Sequence, residues 1–163
     1  MKSFTDNTGR TWTLAVNVGT IKRVRALCDV NLANIITIDS GATPKVDLLE
    51  RLGNDPVLLV DVLYAAVKPE ADTKGISDQE FGQAMSGDAI EMATTALLDE
   101  VIDFFPETKR KVFRKILDAT RRFETKGKAA LQALLDDPAL DGKIDEALAQ
   151  LMTSSGNSQE SPE

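Results

Sequence analysis

The sequence predicts a mainly α fold: an N-terminal β-hairpin followed by a compact multi-helix bundle, with a disordered C-terminal tail. Three observations carry this expectation. Near the start, Trp12, Leu14, Val16 and Val18 stand at two-residue spacing with polar or small residues between them, the period of a strand with one buried face. From residue 21 onward, apolar residues recur at three- and four-residue spacing, the period of an amphipathic helix. Residues 153–163 hold no apolar side chain, so they cannot bury enough surface to offset the entropy lost on ordering.

In chain order, Phe4 and the 12–18 alternation flank a turn-rich Asp6-Asn7-Thr8-Gly9 and form the hairpin. Gly19 ends it, and Thr20 caps a helix carrying Ile21, Val24, Leu27 and Cys28. Residues 31–43 read equally as a helical turn, a short third strand, or both in sequence. Thr43-Pro44 and Asp55-Pro56 each put a capping side chain before a proline, which predicts a helix start at both places. The second helix, over residues 57–67, is apolar on all sides and is expected to be central and buried. Ser77 and Glu80 fit a capping box and open a short helix through Phe81 and Met85. The longest helix is expected over residues 89–105, with Ile90, Ala93, Leu97, Val101 and Phe104 as its stripe and Pro106 as its stop. A basic helix follows with Val112, Phe113, Ile116, Leu117, Thr120 and Phe123 on one face. Further helices span 128–136 and 141–152. The expected organisation is a hairpin-plus-helical domain over 1–126, a helical extension over 127–152 and a tail over 153–163.

Composition narrows the chemistry. A chain of 163 residues with 42% apolar and 28% charged side chains has the material for one core. Histidine is absent and Cys28 is the only cysteine. The usual general base near neutral pH, the commonest nitrogen ligand for metals, disulfides and thiolate clusters are thereby removed. Cys28 lies in an apolar pattern and reads as a core thiol, as Trp12 and Tyr64 read as core aromatics. The N-terminus lacks the apolar stretch of a signal peptide, and the longest near-apolar run, residues 56–67, contains Asp61 and is too short to span a bilayer, so a cytoplasmic protein with no membrane contact is expected.

The net charge of −7 is uneven. Residues 69–106 carry nine acidic side chains against Lys74, whereas residues 107–128 carry nine basic ones against Glu107, Asp118 and Glu124. The cations, Arg110, Arg114 and Arg121 among them, suit an acidic protein partner, a solvated face that offsets the acidic helix, or nucleic acid. Overall acidity and the lack of aromatic stacking residues off the apolar face make nucleic acid, read through the helix at 109–122, the alternative function.

Catalytic motifs fare poorly. No phosphate-binding glycine loop, nucleophile elbow or dinucleotide fingerprint occurs. Residues 137–148 imitate a calcium loop, but Ala139 and Leu148 stand where ligands belong, and Asp141 reads as a helix N-cap. The pairs Asp88/Glu91 and Glu100/Asp103 imitate a magnesium site, yet both lie on one helix, about 18 Å apart. A non-catalytic binding protein with no cofactor and no metal is expected.

The order of elements resembles the tail assembly chaperones of long-tailed bacteriophages and prophages. The segments behind the resemblance are WTLAVNVGTIKRVR at 12–25, DLLERL at 47–52, DPVLLVDVLY at 55–64, GISDQEFG at 75–82 and GDAIEMATTALLDE at 87–100, ending in Phe104-Phe105-Pro106. They cover about residues 3–120 and are patterns of fold. The resemblance implies a protein that holds the helical tape-measure protein in the host cytoplasm until tail-tube subunits assemble around it, and that is absent from the finished virion. It also implies the tail-tube protein as a second partner, self-association, and a longer form made by frameshifting. The apolar stripes at 89–105 and 112–123 are the candidate holding surfaces, with Phe104, Phe105, Phe113 and Phe123 as the residues to test; internal core is the other reading of each stripe, and the one favoured for most of it.

Overall fold

The computed structural model describes residues 1–154, and the chain is mainly α. It divides into two compact units, Met1–Ile116 and a second that starts at Leu117.

The first unit begins with a hairpin. Strand β1 (Lys2–Thr5) pairs antiparallel with β2 (Thr11–Leu14), Phe4 opposite Trp12. The strand is shorter than its alternation suggests. Asn17 caps the next helix by accepting from the Thr20 N–H, so helix α1 (Val18–Cys28) starts before Thr20. Val18 is exposed, while Thr20 is buried with its hydroxyl donating to the Ala15 carbonyl. Leu27 is exposed and Cys28 half-buried, so neither is full core.

Residues 31–43 adopt both candidate forms in sequence: a 3-10 turn at Leu32–Asn34, then strand β3 (Thr37–Ile38). The helix expected at Thr43-Pro44 is absent. Instead the Asp39 carboxylate accepts from the Gly41 and Thr43 N–H groups, the chain reverses, and β4 (Pro44–Lys45) pairs with β3. Helix α2 (Asp47–Asn54) begins three residues later with no side-chain cap.

At Asp55-Pro56 the signal is realised: Asp55 accepts from the Leu58 N–H and Pro56 opens α3 (Pro56–Lys74). This helix is the hub of the unit, touching β2, α1, α2, α4 and α5, with Leu59, Val62, Leu63, Ala66 and Ala71 buried. Val57, at its first turn, is exposed. It also runs through Pro69 instead of ending near it. A proline there removes the N–H that the Ala65 carbonyl needs. Arg23 supplies the substitute: its Nε donates to the Ala65 carbonyl at 2.6 Å and its terminal nitrogen to the Ala66 carbonyl at 2.9 Å.

The capping box of Ser77 and Glu80 is present and opens α4 (Asp78–Gln83). Phe81 from α4 meets Phe4, Trp12 and Tyr64 with ring centroids 5.1 to 6.4 Å apart. Helix α5 (Asp88–Asp103) buries Ala93, Leu97 and Val101 of its expected stripe together with Ala89, Ala96, Leu98 and Ile102.

Helix α5 is not the longest. That is α6 (Glu107–Leu135), which runs unbroken through the separation expected between the basic helix and the helix at 128–136. Gly127 lies at the expected junction, but one glycine costs a helix only about 1 kcal/mol and does not break it. After it, Asp137 accepts from the Ala139 N–H in the turn that leads into α7 (Leu140–Ser154), and Asp141 lies in the first turn of that helix and is not the cap. Thr153 and Ser154 belong to α7; the remainder of the expected tail lies outside the described residues. No helix among the described residues is long and apolar enough to cross a membrane.

Candidate functional site

The buried polar groups of the first unit are occupied by structure. Asp6 accepts from Thr8, Arg10 and Trp12. Burial alone would raise its pKa, but these hydrogen bonds prevail and hold it down to about 2. Glu100 is buried with one oxygen 2.8 Å from the Met1 amino group and the other accepting from the Val16 N–H. Among the described residues no buried side-chain nitrogen or oxygen lacks a partner. Nor does any group of three or more cysteine, aspartate or glutamate residues there have the geometry to hold a metal ion. Of the carboxylates that imitate a magnesium site, Glu100 is bound as described and Asp103 pairs with Arg114 at 2.6 Å.

Cys28 is likewise quiet. Burial, then the charges of Asp61 and Asp78, push its thiol pKa up, which disfavours the nucleophilic thiolate.

The aromatic residues proposed for partner binding separate into two groups. Phe104, Phe105 and Phe113 form one edge-to-face chain in the first unit, with centroids 5.4 and 4.9 Å apart. Phe105 and Phe113 are buried there and Phe104 is half-buried, so they contribute to the core. Phe123 belongs to the second unit and is 74% exposed. Of the arginines, Arg110 and Arg121 are half-buried, and Arg114 is engaged with Asp103. Lys111 pairs with Glu107.

The second unit has a different character. On α6, Leu131, Leu134 and Leu135 join Phe123 as exposed apolar residues; on α7, Ile144, Leu148 and Met152 do the same. Leu131, Leu134 and Leu135 follow i, i+3, i+4 spacing, and Phe123 lies eight residues before the first of them, near the same face. Ile144, Leu148 and Met152 stand four residues apart, one above another on α7. The stripe from Phe123 to Leu135 is about 18 Å long at 1.5 Å per residue, and that on α7 about 12 Å. A soluble chain rarely leaves so many large apolar side chains uncovered at regular spacing unless something else covers them.

Six of these seven residues lie beyond the stripe singled out from the sequence. Their three- and four-residue spacing was visible there, but it is shared with every core helix in the chain, and spacing does not report exposure. Compared with known proteins, the chain matches no family model, no curated protein and no solved structure.

Proposed function

We propose that this protein is a non-catalytic holding protein of the tail-assembly-chaperone type, which binds the helical tape-measure protein in the host cytoplasm and is left out of the finished virion. The observation that carries the reading is the exposed apolar stripe on each of α6 and α7. An amphipathic partner helix docks by laying its i, i+3, i+4, i+7 residues along such a surface, and association through apolar area is weakly sensitive to salt. The occupied polar core and the quiet thiol fit a protein that acts through surface. In the same scheme the tail-tube protein is the successor that displaces it, and self-association through the stripes protects them when no partner is present.

Co-expression with the tape-measure protein, followed by size-exclusion chromatography at low and high salt, tests this. Co-elution that survives high salt and is lost in a Phe123→Asp/Leu148→Asp variant is expected. No co-elution would overturn it, as would a complex that the variant keeps. A complex that dissolves in salt would move the function to the cations at 109–122 and a polyanionic partner.

A further inference from the structure

The hairpin has one closed edge and one open edge, and the open one faces a groove. In an antiparallel pair, alternate residues turn their backbone groups toward the partner strand. The Asp6 N–H to Arg10 carbonyl bond of 2.9 Å sets that alternation, so Phe4/Trp12 and Lys2/Leu14 bond inward and Ser3, Thr5, Thr11 and Thr13 face outward. On β2 these outward groups are taken: the Thr13 N–H donates to Glu70 at 2.9 Å, and the Thr11 carbonyl accepts from Lys74 at 2.8 Å. On the β1 side the next outward N–H, that of Asn7, donates to the Ala84 carbonyl. Ser3 and Thr5, by contrast, border an open groove of about 740 Å³ between β1 and the face of α5 running from Asp88 to Asp99. All four residues of β1 line it. Successive residues point to opposite faces, so it is the edge of the strand that the groove meets.

The groove has the length of a strand and a definite charge. The eleven helical rises from Asp88 to Asp99 span about 16 Å, the reach of about five extended residues. Its apolar lining on α5 includes Met92 and Ala96, and its charged groups are Asp88, Glu91 and Asp99 against Lys2. Glu91 and Asp99 also interact within the chain; their contribution is the sign of the field.

We propose that this groove takes a cationic extended segment of a partner protein, about five residues long, which adds to β1 as a third strand. The Ser3 and Thr5 backbone groups would pair with it, Met92 and Ala96 would cover its inward side chains, and the carboxylates would meet its lysines or arginines. A second copy of this chain fits poorly, because edge-to-edge pairing would bring two sets of the same carboxylates together. The groove and the stripes on α6 and α7 share no residue, so the inference holds or fails independently of the helical partner.

The test uses the full chain and three labelled octapeptides: alternating lysine and valine, the same with glutamate for lysine, and the lysine peptide with N-methylated valines. Fluorescence anisotropy is expected to show binding of the first alone, with the Ser3 and Thr5 amide resonances shifting on titration. Asp88→Lys should weaken it about tenfold or more, a loss of about 1.4 kcal/mol. Ser3→Pro should do likewise, since it deletes an N–H that points away from β2; if that variant misfolds by circular dichroism, Met92→Lys replaces it. The proposal is overturned if no peptide binds, if the acidic or the N-methylated peptide binds as tightly, or if the variants bind unchanged. It is equally overturned if the edge instead supports a concentration-dependent dimer that Ser3→Pro abolishes.

Discussion

Asp6 shows how much one side chain organises. Its two oxygens accept from the Thr8 N–H and hydroxyl, the Arg10 N–H and Nε, and the Trp12 indole N–H, at 2.6 to 3.0 Å. The hairpin turn and the largest core side chain are thus tied to one carboxylate. Asp6→Ala would leave the buried indole N–H unpaired and is expected to cost about 3 kcal/mol in urea denaturation. The same group makes stability depend on acid. Its folded pKa lies near 2 against an ordinary value of 3.8, so the folded state binds the proton less well than the unfolded chain. The resulting stabilisation of about 2 kcal/mol is complete above about pH 4 and is lost as pH falls toward 2. A urea midpoint that Asp6→Asn makes less sensitive across that window would confirm it. Arg23 is the second such residue. Because it donates to the Ala65 carbonyl that Pro69 leaves short, and to the adjacent Ala66 carbonyl, Arg23→Met should cost about 1–3 kcal/mol. The cost should shrink in a Pro69→Ala background, where the missing N–H returns; additive effects in that double-mutant cycle would refute the coupling.

Elements were legible where the deciding bonds lie within about four residues. Asp55-Pro56 and Ser77-Asp78-Gln79-Glu80 place cap and capped amide in one turn, and both helices start where the sequence says. Thr43-Pro44 carries a similar signal and fails, because Asp39 captures the Gly41 and Thr43 amides first and Ala42 takes a left-handed φ of 59°. Pro44 is then carried back beside Ile38. Strand β2 ends before its alternation does for a like reason: Val16 and Val18 continue the alternation, but Asn17 between them caps a helix. In α6 the basic run and the 128–136 segment, expected as two helices, form one, with Gly127 between them. That glycine sits in an unbroken helix with open space where a Cβ would go. Gly127→Ala should therefore stabilise the helix by about 1 kcal/mol, read as a gain in thermal midpoint and helical ellipticity. A loss would mean that the helix breaks there.

Across the whole molecule, the division between covered and uncovered apolar surface separates stability from binding. Leu63 is fully buried in α3, so Leu63→Ala should cost about 2–5 kcal/mol. Leu134 and Leu148 are 45% and 53% exposed, so replacing them with aspartate should move stability by no more than about 0.5 kcal/mol each while removing partner binding. Equal destabilisation by all three, measured by chemical denaturation, would show the stripes to be core. The sequence by itself determined the helical class, the N-terminal hairpin, the two well-capped helix starts and the absence of histidine and paired thiols. These depend on composition and on hydrogen bonds closed within one turn. Only the tertiary structure decided that Phe105 and Phe113 are core while Phe123 is exposed, that Arg23 completes a helix forty residues away, and that one edge of the hairpin is closed and the other open. Each of these depends on what a distant segment brings alongside, and a helical face has the same period whether another part of the chain covers it or nothing does.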